Sequence, residues 1–516
     1  MKISRLLLIS ILLSQSFFSF SQRQKSLEQK INTLDAYYEK ALKDWNVPGM
    51  AIAIVKDGEV VFSKGYGVRS VDTGKKVDDK TNFAIASNSK AFTTAALATL
   101  IDAGKLNWDD NVRDYLPYFT LYDDFVSEHF TIRDLVCHRS GLETFSGDLL
   151  WYGSNYTREE VIRKARFLEP KYDFRTHYGY QNIMFIAAGE IVGKVSGMSW
   201  DDYIKKVFFE PLRMTTTITS VNDIDKKSNI ALPHNTNEEG VNHVIDWVNW
   251  DNIGGAGAIL SNVSELSNWM IAQLNRGVFE NDTLWTAQRS KEMWALTTPQ
   301  EISNWRNENM PTQTFNGYAL GWAVYNIHGH KIVNHGGGYD GMISKTVLIP
   351  EENIGFVIVT NSNNWAPGAL ANQTIDVLLN VKEDLDWSTM YLGFKERGDK
   401  RAKEAVVQAE KDRVKNTKPS LSLEDYAGTY GGEMYGNCTV EVEGDHLKFQ
   451  FEPTPLFRGT MTHWHYDTFQ LNWSTDMMLP SGTVQFILNP KGKVEEMKIV
   501  VPNPDFYFEE LEFMKL

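Results

Sequence analysis

The sequence predicts an α/β chain of the α+β type: an antiparallel sheet flanked by helices, with a helical subdomain, followed by a small all-β barrel-like domain. Three observations carry this expectation. Two β-rich runs near the start, 50–55 and 59–63, are joined by Lys56-Asp57-Gly58, a hairpin signal. From 131 to about 274 most segments read as helices and loops, and strand character returns at 321–326, 331–334, 342–349 and 354–360, so the early hairpin is expected to join the later strands. After a charged stretch at 394–418, short alternating segments follow at 439–442, 446–451, 468–473, 483–488 and 495–500, which reads as a sandwich or a barrel.

The helices follow from periodicity. Leu27, Ile31, Leu34 and Tyr38 recur at helical spacing and predict a helix over 27–42 that stops before Val47-Pro48-Gly49. Apolar stripes also mark 161–167, 183–195, 200–208, 263–274 and a closing helix at 369–379. At 516 residues two domains are expected, and the stretch between them is too polar to belong to either core. The division is a signal peptide at 1–21, a first domain at 22–390, a charged linker at 391–420 and a C-terminal domain at 421–516. Each folded part should then own its interior, so truncation near Glu396 should leave the first one folded.

Lys2 and Arg5 precede the apolar run 6–13, and Ser19-Phe20-Ser21 stands before Gln22, which is the pattern of a cleaved export signal. A periplasmic or extracellular protein is expected. No cysteine sits at the cleavage point and no later run approaches about 20 apolar residues, so no stable membrane anchor is expected. The net charge of −14, with no long Lys/Arg-rich patch, argues against nucleic acid as a partner. Cys137 and Cys438 are the two cysteines and fall in different expected domains. A buried thiol is the simpler reading of Cys137, and whether the two pair stays open.

Chemistry concentrates in three places. Ser87 and Lys90 stand one turn apart at the head of an apolar helix within 83–98, with Ser87 placed as its N-cap. A serine hydroxyl needs a base, and a lysine kept neutral by burial can serve. Tyr180 and Asn182 lie two apart at a loop entering a helix, and His335-Gly336-Gly337-Gly338 ends a strand in glycines that let backbone approach a ligand. Each has a plainer reading: a helix cap with a solvated lysine, a helix entry, and a packed histidine. Tyr435-Gly436-Asn437 repeats the tyrosine–asparagine spacing elsewhere. His138 and Ser140 read as a structural turn. His328/His330 and His463/His465 lack a third converging ligand, so neither metal nor cofactor is expected.

Taken together, Ser87-Asn88-Ser89-Lys90, Tyr180-Gln181-Asn182 and His335-Gly336-Gly337, in this order and separation, resemble the three active-site motifs of the serine β-lactamase and penicillin-binding-protein superfamily. The histidine in the third motif resembles the class C β-lactamase-related esterases and D-aminopeptidases. The C-terminal part resembles a lipocalin-like domain of unknown function that follows some of these hydrolases. The resemblance implies that Ser87 is the acylated nucleophile and Lys90 its proton partner. Tyr180 would be a second partner and would protonate the leaving group. It could act as a base only if cations, Lys90 and His335 among them, lower its pKa; which of Lys90 and Tyr180 takes the serine proton stays open. Asn182 would hold the substrate amide. The backbone N–H groups of Ser87 and Gly338 would form the oxyanion hole, with Gly337 beside them. His335 stands where β-lactamases carry lysine, which puts recognition of an anionic β-lactam in doubt. The expected activity is an exported serine hydrolase acting on an ester, an amide or a D-amino-acid peptide, as a monomer or a homo-oligomer. The alternatives are a penicillin-binding or sensing protein that keeps the fold and, less favoured, a true β-lactamase.

Overall fold

The computed structural model describes residues 25–225, 228–381, 385–476 and 478–516. The expected signal peptide at 1–21 lies outside the described residues. An antiparallel sheet of eight strands dominates the first 380 residues, in the order Glu59–Gly67, Gly49–Lys56, Ile354–Thr360, Met342–Ile349, His330–Tyr339, Ala323–Ile327, Asn316–Tyr318 and Thr298–Pro299. The N-terminal hairpin does join the later strands, with Met50 opposite Thr360 and Lys56 opposite Ile354.

The two faces of the sheet explain why its central strands read as apolar throughout. Along Gly49–Lys56 the side chains alternate. Ala51, Ala53 and Val55 join a core with helices Ser89–Asp102 and Val263–Leu274, whereas Met50, Ile52 and Ile54 join a second core under Leu34, Tyr38 and Ala41. Helices Leu27–Asp44 and Ala366–Leu378 cover that second face. A strand buried on both sides has no polar face to show.

Helix Ser89–Asp102 is enclosed by the sheet and the helical subdomain, and its residues from Ser89 to Ala98 are all buried. Phe92 stacks on Trp269 at 3.8 Å, and Trp200 donates to Thr93 Oγ1 at 3.0 Å. Such a helix is a fixed post rather than a surface element.

Residues 428–515 form a closed antiparallel barrel of eight sequential strands, sealed by Tyr430 and Gly431 pairing with Lys515 and Met514. Its interior is filled by Phe449, Phe451, Met461, Phe469, Phe486 and Ile499, all buried. The segment expected as a partly helical linker is mostly helix, Trp387–Asp412. Its first turns pack aromatic side chains, Trp387 and Tyr391, on Trp305, and its later turns are exposed.

The barrel does not stand apart from the first domain. Tyr152 meets Phe506 at 4.5 Å and Phe457 at 5.9 Å, and Trp151 lies 6.4 Å from Phe506. Glu510 accepts from Ser146 Oγ at 2.5 Å and from Gly147 N at 2.8 Å, and Asn155 N donates to Pro453 O at 2.8 Å. Buried residues of the two parts form one continuous cluster, so the expectation of separate interiors gives way to a shared seam of aromatic side chains. Cys137 and Cys438 are both buried and free. Among the described residues no helix is long and apolar enough to cross a membrane.

Candidate active site

Ser87 is not an N-cap. It sits in the middle of a 3₁₀ turn, Ala86–Asn88, that precedes the helix, and no side chain caps the helix start. Ala86 holds φ +45°, a left-handed conformation that is costly for a residue with a side chain and that turns the chain sharply ahead of the serine. Neighbours hold the turn: Ser89 Oγ donates to Ala86 O at 2.7 Å, and Ser344 Oγ donates to Ile85 O at 2.7 Å while accepting from Asn88 Nδ2 at 2.7 Å. Gly337 is part of the same contact. A Cβ there would lie 2.1 Å from Ile85 O, so only glycine lets the strand pass this close.

Lys90 rises from the first turn of the helix and is wholly buried. Its Nζ lies 2.9 Å from Ser87 Oγ, 2.7 Å from Asn182 Oδ1 and 2.9 Å from Ala256 O, and 4.8 Å from the centre of the Tyr180 ring. Burial drives the lysine well below its ordinary pKa, opposed by the field of Asp148. Asp148 is buried as well and is pushed up to about 8, chiefly by desolvation. Asn182 separates the two: its Nδ2 donates to Asp148 Oδ2 at 2.7 Å while its oxygen faces Lys90. Burial holds both groups toward their neutral forms, and the Asn182 hydrogen bond works against it at Asp148.

Tyr180 departs from the expectation that cations would lower it. Burial raises its phenol well above the ordinary value, opposed by a hydrogen bond with Ser87. His335 supplies no cation either. Its Nδ1 faces the carbonyl of Gly336 at 2.5 Å and so carries the proton, and its Nε2 accepts from Tyr318 Oη at 2.8 Å. Desolvation above all brings it down to about 3, so the ring is neutral at any ordinary pH.

These residues open on one cavity of about 620 Å³, lined by Ser87, Tyr180, Asn182, His335, Gly336 and Gly338 from the sequence motifs or beside them. Gly338 is exposed at its rim, whereas Gly337 faces the Ser87 turn. Asn182, expected to hold substrate, spends both ends of its amide on Lys90 and Asp148. Several members of the site carried no sequence signal. Asp148 opens a single 3₁₀ turn, Asp148–Leu150, Tyr318 lies in a short strand, and Asn503, Asp505 and Phe506 come from the barrel to wall the cleft. His138 lies beneath the site: its ring is 4.1 Å from that of Tyr180, and its Nδ1 accepts from Gln181 N at 3.0 Å, which fixes the loop that carries the tyrosine. The paired histidines have local partners. His328 faces Asp376 at 3.3 Å, and His463 faces the carbonyl of Tyr466 at 3.0 Å.

A family model described as Beta-lactamase matches residues 34–380, and one described as a domain of unknown function, DUF3471, matches 412–515. An unguisins hydrolase of Aspergillus campestris is 30% identical over 431 residues, covering 78% of this chain and 76% of that protein. Protein flp of Staphylococcus aureus is 26% identical over 368 residues, 70% of this chain and 69% of that one. Among solved structures, the octameric penicillin-binding protein homologue from Pyrococcus abyssi has a TM-score of 0.62 at 22% identity, covering 94% of this chain and 100% of that chain. D-amino acid amidase from Ochrobactrum anthropi SV3 has a TM-score of 0.55 at 19% identity, covering 67% and 98%. The Beta-lactamase match takes in well over half of the sequence, including every motif residue of the cleft, and the chain belongs to the beta-lactamase family of hydrolases.

Proposed function

We propose that this protein is an exported serine hydrolase that works by acyl transfer to Ser87 on an ester, an amide or a D-amino-acid peptide. The observation that carries the reading is Lys90: wholly buried, held toward its neutral form, with Nζ 2.9 Å from the serine oxygen. A neutral amine has two N–H groups and one lone pair. Asn182 Oδ1 and Ala256 O take the two N–H groups, which leaves the lone pair for the Ser87 hydroxyl.

In the first step Ser87 Oγ bonds to the substrate carbonyl carbon and its proton passes to Lys90 Nζ. The backbone N–H groups of Ser87 and Gly338 receive the oxyanion. When the bond to the leaving group breaks, Tyr180, kept protonated by its burial, gives its proton to the departing nitrogen or oxygen and recovers one from Lys90. Water then attacks the acyl-enzyme, Lys90 takes its proton, and Ser87 leaves with a proton returned. Asp148, reached through Asn182, tunes the lysine without touching substrate.

The names of an unguisins hydrolase and a D-amino acid amidase among the similar proteins accord with an amide or ester substrate of small-molecule or peptide size. His335, neutral and tied to Tyr318 and Gly336, disfavours a true β-lactamase that relies on a fixed cation at this position. Intact-mass labelling with a fluorophosphonate tests the reading. One adduct is expected, lost in Ser87→Ala, together with turnover on a panel of p-nitrophenyl esters and D-amino-acid amides. Labelling elsewhere would refute the assignment of Ser87, and an adduct without turnover on any of the panel would favour the penicillin-sensing alternative.

A further inference from the structure

The loop at 143–148 touches both Tyr180 and the partners of Lys90, and it is gripped from the barrel. Phe145 N donates to Tyr180 O at 2.8 Å, and Thr144 Oγ1 accepts from Tyr180 N at 3.1 Å. At the other end Asp148 receives the Asn182 amide whose oxygen faces Lys90. Little in the loop itself favours this path. Phe145 holds φ +66° and Gly147 φ +78°, both left-handed, and Gly147 stands at the cap position of the 3₁₀ turn Asp148–Leu150 with no side chain to cap it. A Cβ on Gly147 would lie 2.4 Å from Leu168 Cδ1 and 2.9 Å from Ile183 Cδ1, so the turn is wedged against helix Asn182–Ser196.

The missing cap comes from the C-terminal domain. Glu510 stands in the 3₁₀ turn Phe508–Glu510, between barrel strands Val494–Val500 and Phe513–Lys515. One of its oxygens accepts from Ser146 Oγ at 2.5 Å and the other from Gly147 N at 2.8 Å. A carboxylate that takes two donors in this way fixes the direction of the loop as well as its distance. Burial, with Glu143 and Glu509 nearby, pushes the Glu510 pKa up, and the two hydrogen bonds oppose that rise. Its charge also adds to the burial that keeps Asp148 protonated. Such a group is unfavourable at a domain seam unless its donors compensate it.

The two ends of the loop differ in their other supports. The Tyr180 end is tied to the first domain, where Gln181 N donates to His138 Nδ1 and Gln181 Nε2 donates to Glu143 O at 2.5 Å. Around Asp148 the backbone bonds are local: Ser146 N donates to Glu143 O at 3.1 Å and Asp148 N to Phe145 O at 3.0 Å. The Asp148 end therefore depends on the grip of Glu510.

We propose that Glu510 is a positioning residue for the reaction at Ser87. From the barrel it fixes the loop so that Asp148 meets Asn182, and Asn182 in turn holds Lys90 with its lone pair aimed at the serine. The C-terminal domain is then a working part of the active site as well as a wall of the cleft. That the place of Asp148 bears on catalysis rests on the hydrolase reading of Ser87 and Lys90; that Glu510 holds the loop does not.

The test uses the full-length protein and two readouts. The first is single-turnover acylation of Ser87 by a small fluorophosphonate, on the plateau of the wild-type pH profile. Glu510→Ala should slow it about tenfold. Glu510→Gln should recover it to within about threefold, because its amide oxygen can accept from Gly147 N while its nitrogen donates to Ser146 Oγ. In an Asp148→Ala background Glu510→Ala should bring no further loss, since the two act in one chain of contacts. The second readout is hydrogen exchange of the peptide 143–150, which should quicken about tenfold in Glu510→Ala and return toward wild type in Glu510→Gln.

Unchanged acylation in Glu510→Ala, a Gln variant as slow as the Ala variant, or equal losses with and without Asp148 would overturn the positioning role. Unchanged exchange would overturn the grip itself. If Asp148→Ala fails to fold, the Gln rescue and the exchange carry the comparison. If Glu510→Ala fails, Ser146→Ala removes one of the two bonds and should slow acylation about threefold, with no loss counting against the proposal. Labelling of the wild type reports separately on Ser87, so the two readings can fail independently.

Discussion

Two lysines, one beneath the cleft and one lining it, share a direction of pKa shift and differ in what surrounds them. Lys90 is fully enclosed, and its nitrogen meets Ser87, Asn182 and Ala256 at hydrogen-bonding distance. Lys345 donates to Asn334 Oδ1 and has Arg306 as a repelling neighbour. A buried amine with a complete set of partners can rest neutral and accept a proton, whereas an amine beside another cation is lowered by repulsion as well as by burial. The comparison teaches that the position of a lowered pKa does not define a role. What completes the shell around the nitrogen does.

The comparison breaks first at Lys90. Lys90→Met keeps the side-chain volume but removes the base, and acylation of Ser87 by an ester should slow by about 10³-fold, within the range of general-base effects. A loss of less than about tenfold, measured in single turnover, would mean that the serine is activated elsewhere. Tyr180→Phe removes the acid while keeping the packing on His138, and should slow turnover of amides by about 10²-fold, more than that of esters with good leaving groups. Equal loss on both would argue against proton donation to the leaving group.

The barrel sharpens the contrast because it walls only one end. Phe506→Ala should open the end of the cleft that the barrel walls and alter KM for bulky substrates several-fold without changing the labelling of Ser87 by a small fluorophosphonate. Its contact with Tyr152 makes a loss of about 2 kcal/mol in stability the expected cost, read by denaturant unfolding. For the same reason truncation near Glu396 should expose Trp151 and Tyr152 and give an aggregating chain, contrary to the expectation from the polar linker. A soluble, labelled fragment would show that the seam is dispensable.

The smallest effect concerns pH. Lys345 has a folded pKa of about 8 against an ordinary 10.5, so between these values the unfolded chain binds more protons and stability should rise with pH. Below about 8 the lysine is charged in both states and its contribution is a constant penalty. Unfolding of wild type and Lys345→Met from pH 7 to 10.5 should therefore converge or cross as the wild type gains, and parallel curves would contradict the shift.

The sheet was legible because burial on both faces leaves a strand such as Ile354–Thr360 uniformly apolar, and burial on one side leaves a clear stripe in Leu27–Asp44. The motif residues were legible because serine, lysine, tyrosine and histidine occur at fixed positions along the chain. Short edge pieces were not: Thr298–Pro299 and Asn316–Tyr318 carry too few residues for any period to register. In the barrel, Gly428–Gly432 and Arg458–His465 escaped notice because glycine and polar side chains mask alternation in strands whose outer face meets water. Asp148 and Phe506 enter the site through tertiary contacts alone, and sequence spacing holds no record of them.

The central claim is that a neutral, buried Lys90 activates Ser87. The measurement is the second-order rate of Ser87 acylation by a neutral fluorophosphonate, followed by intact mass across pH in the wild type and in Lys90→Met. The account expects a wild-type rate that reaches its plateau well below the ordinary lysine pKa of 10.5, and a variant whose rate is about 10³-fold lower on that plateau. A wild-type rate that climbs only as pH approaches 10.5, or a variant that matches the wild type, would contradict it.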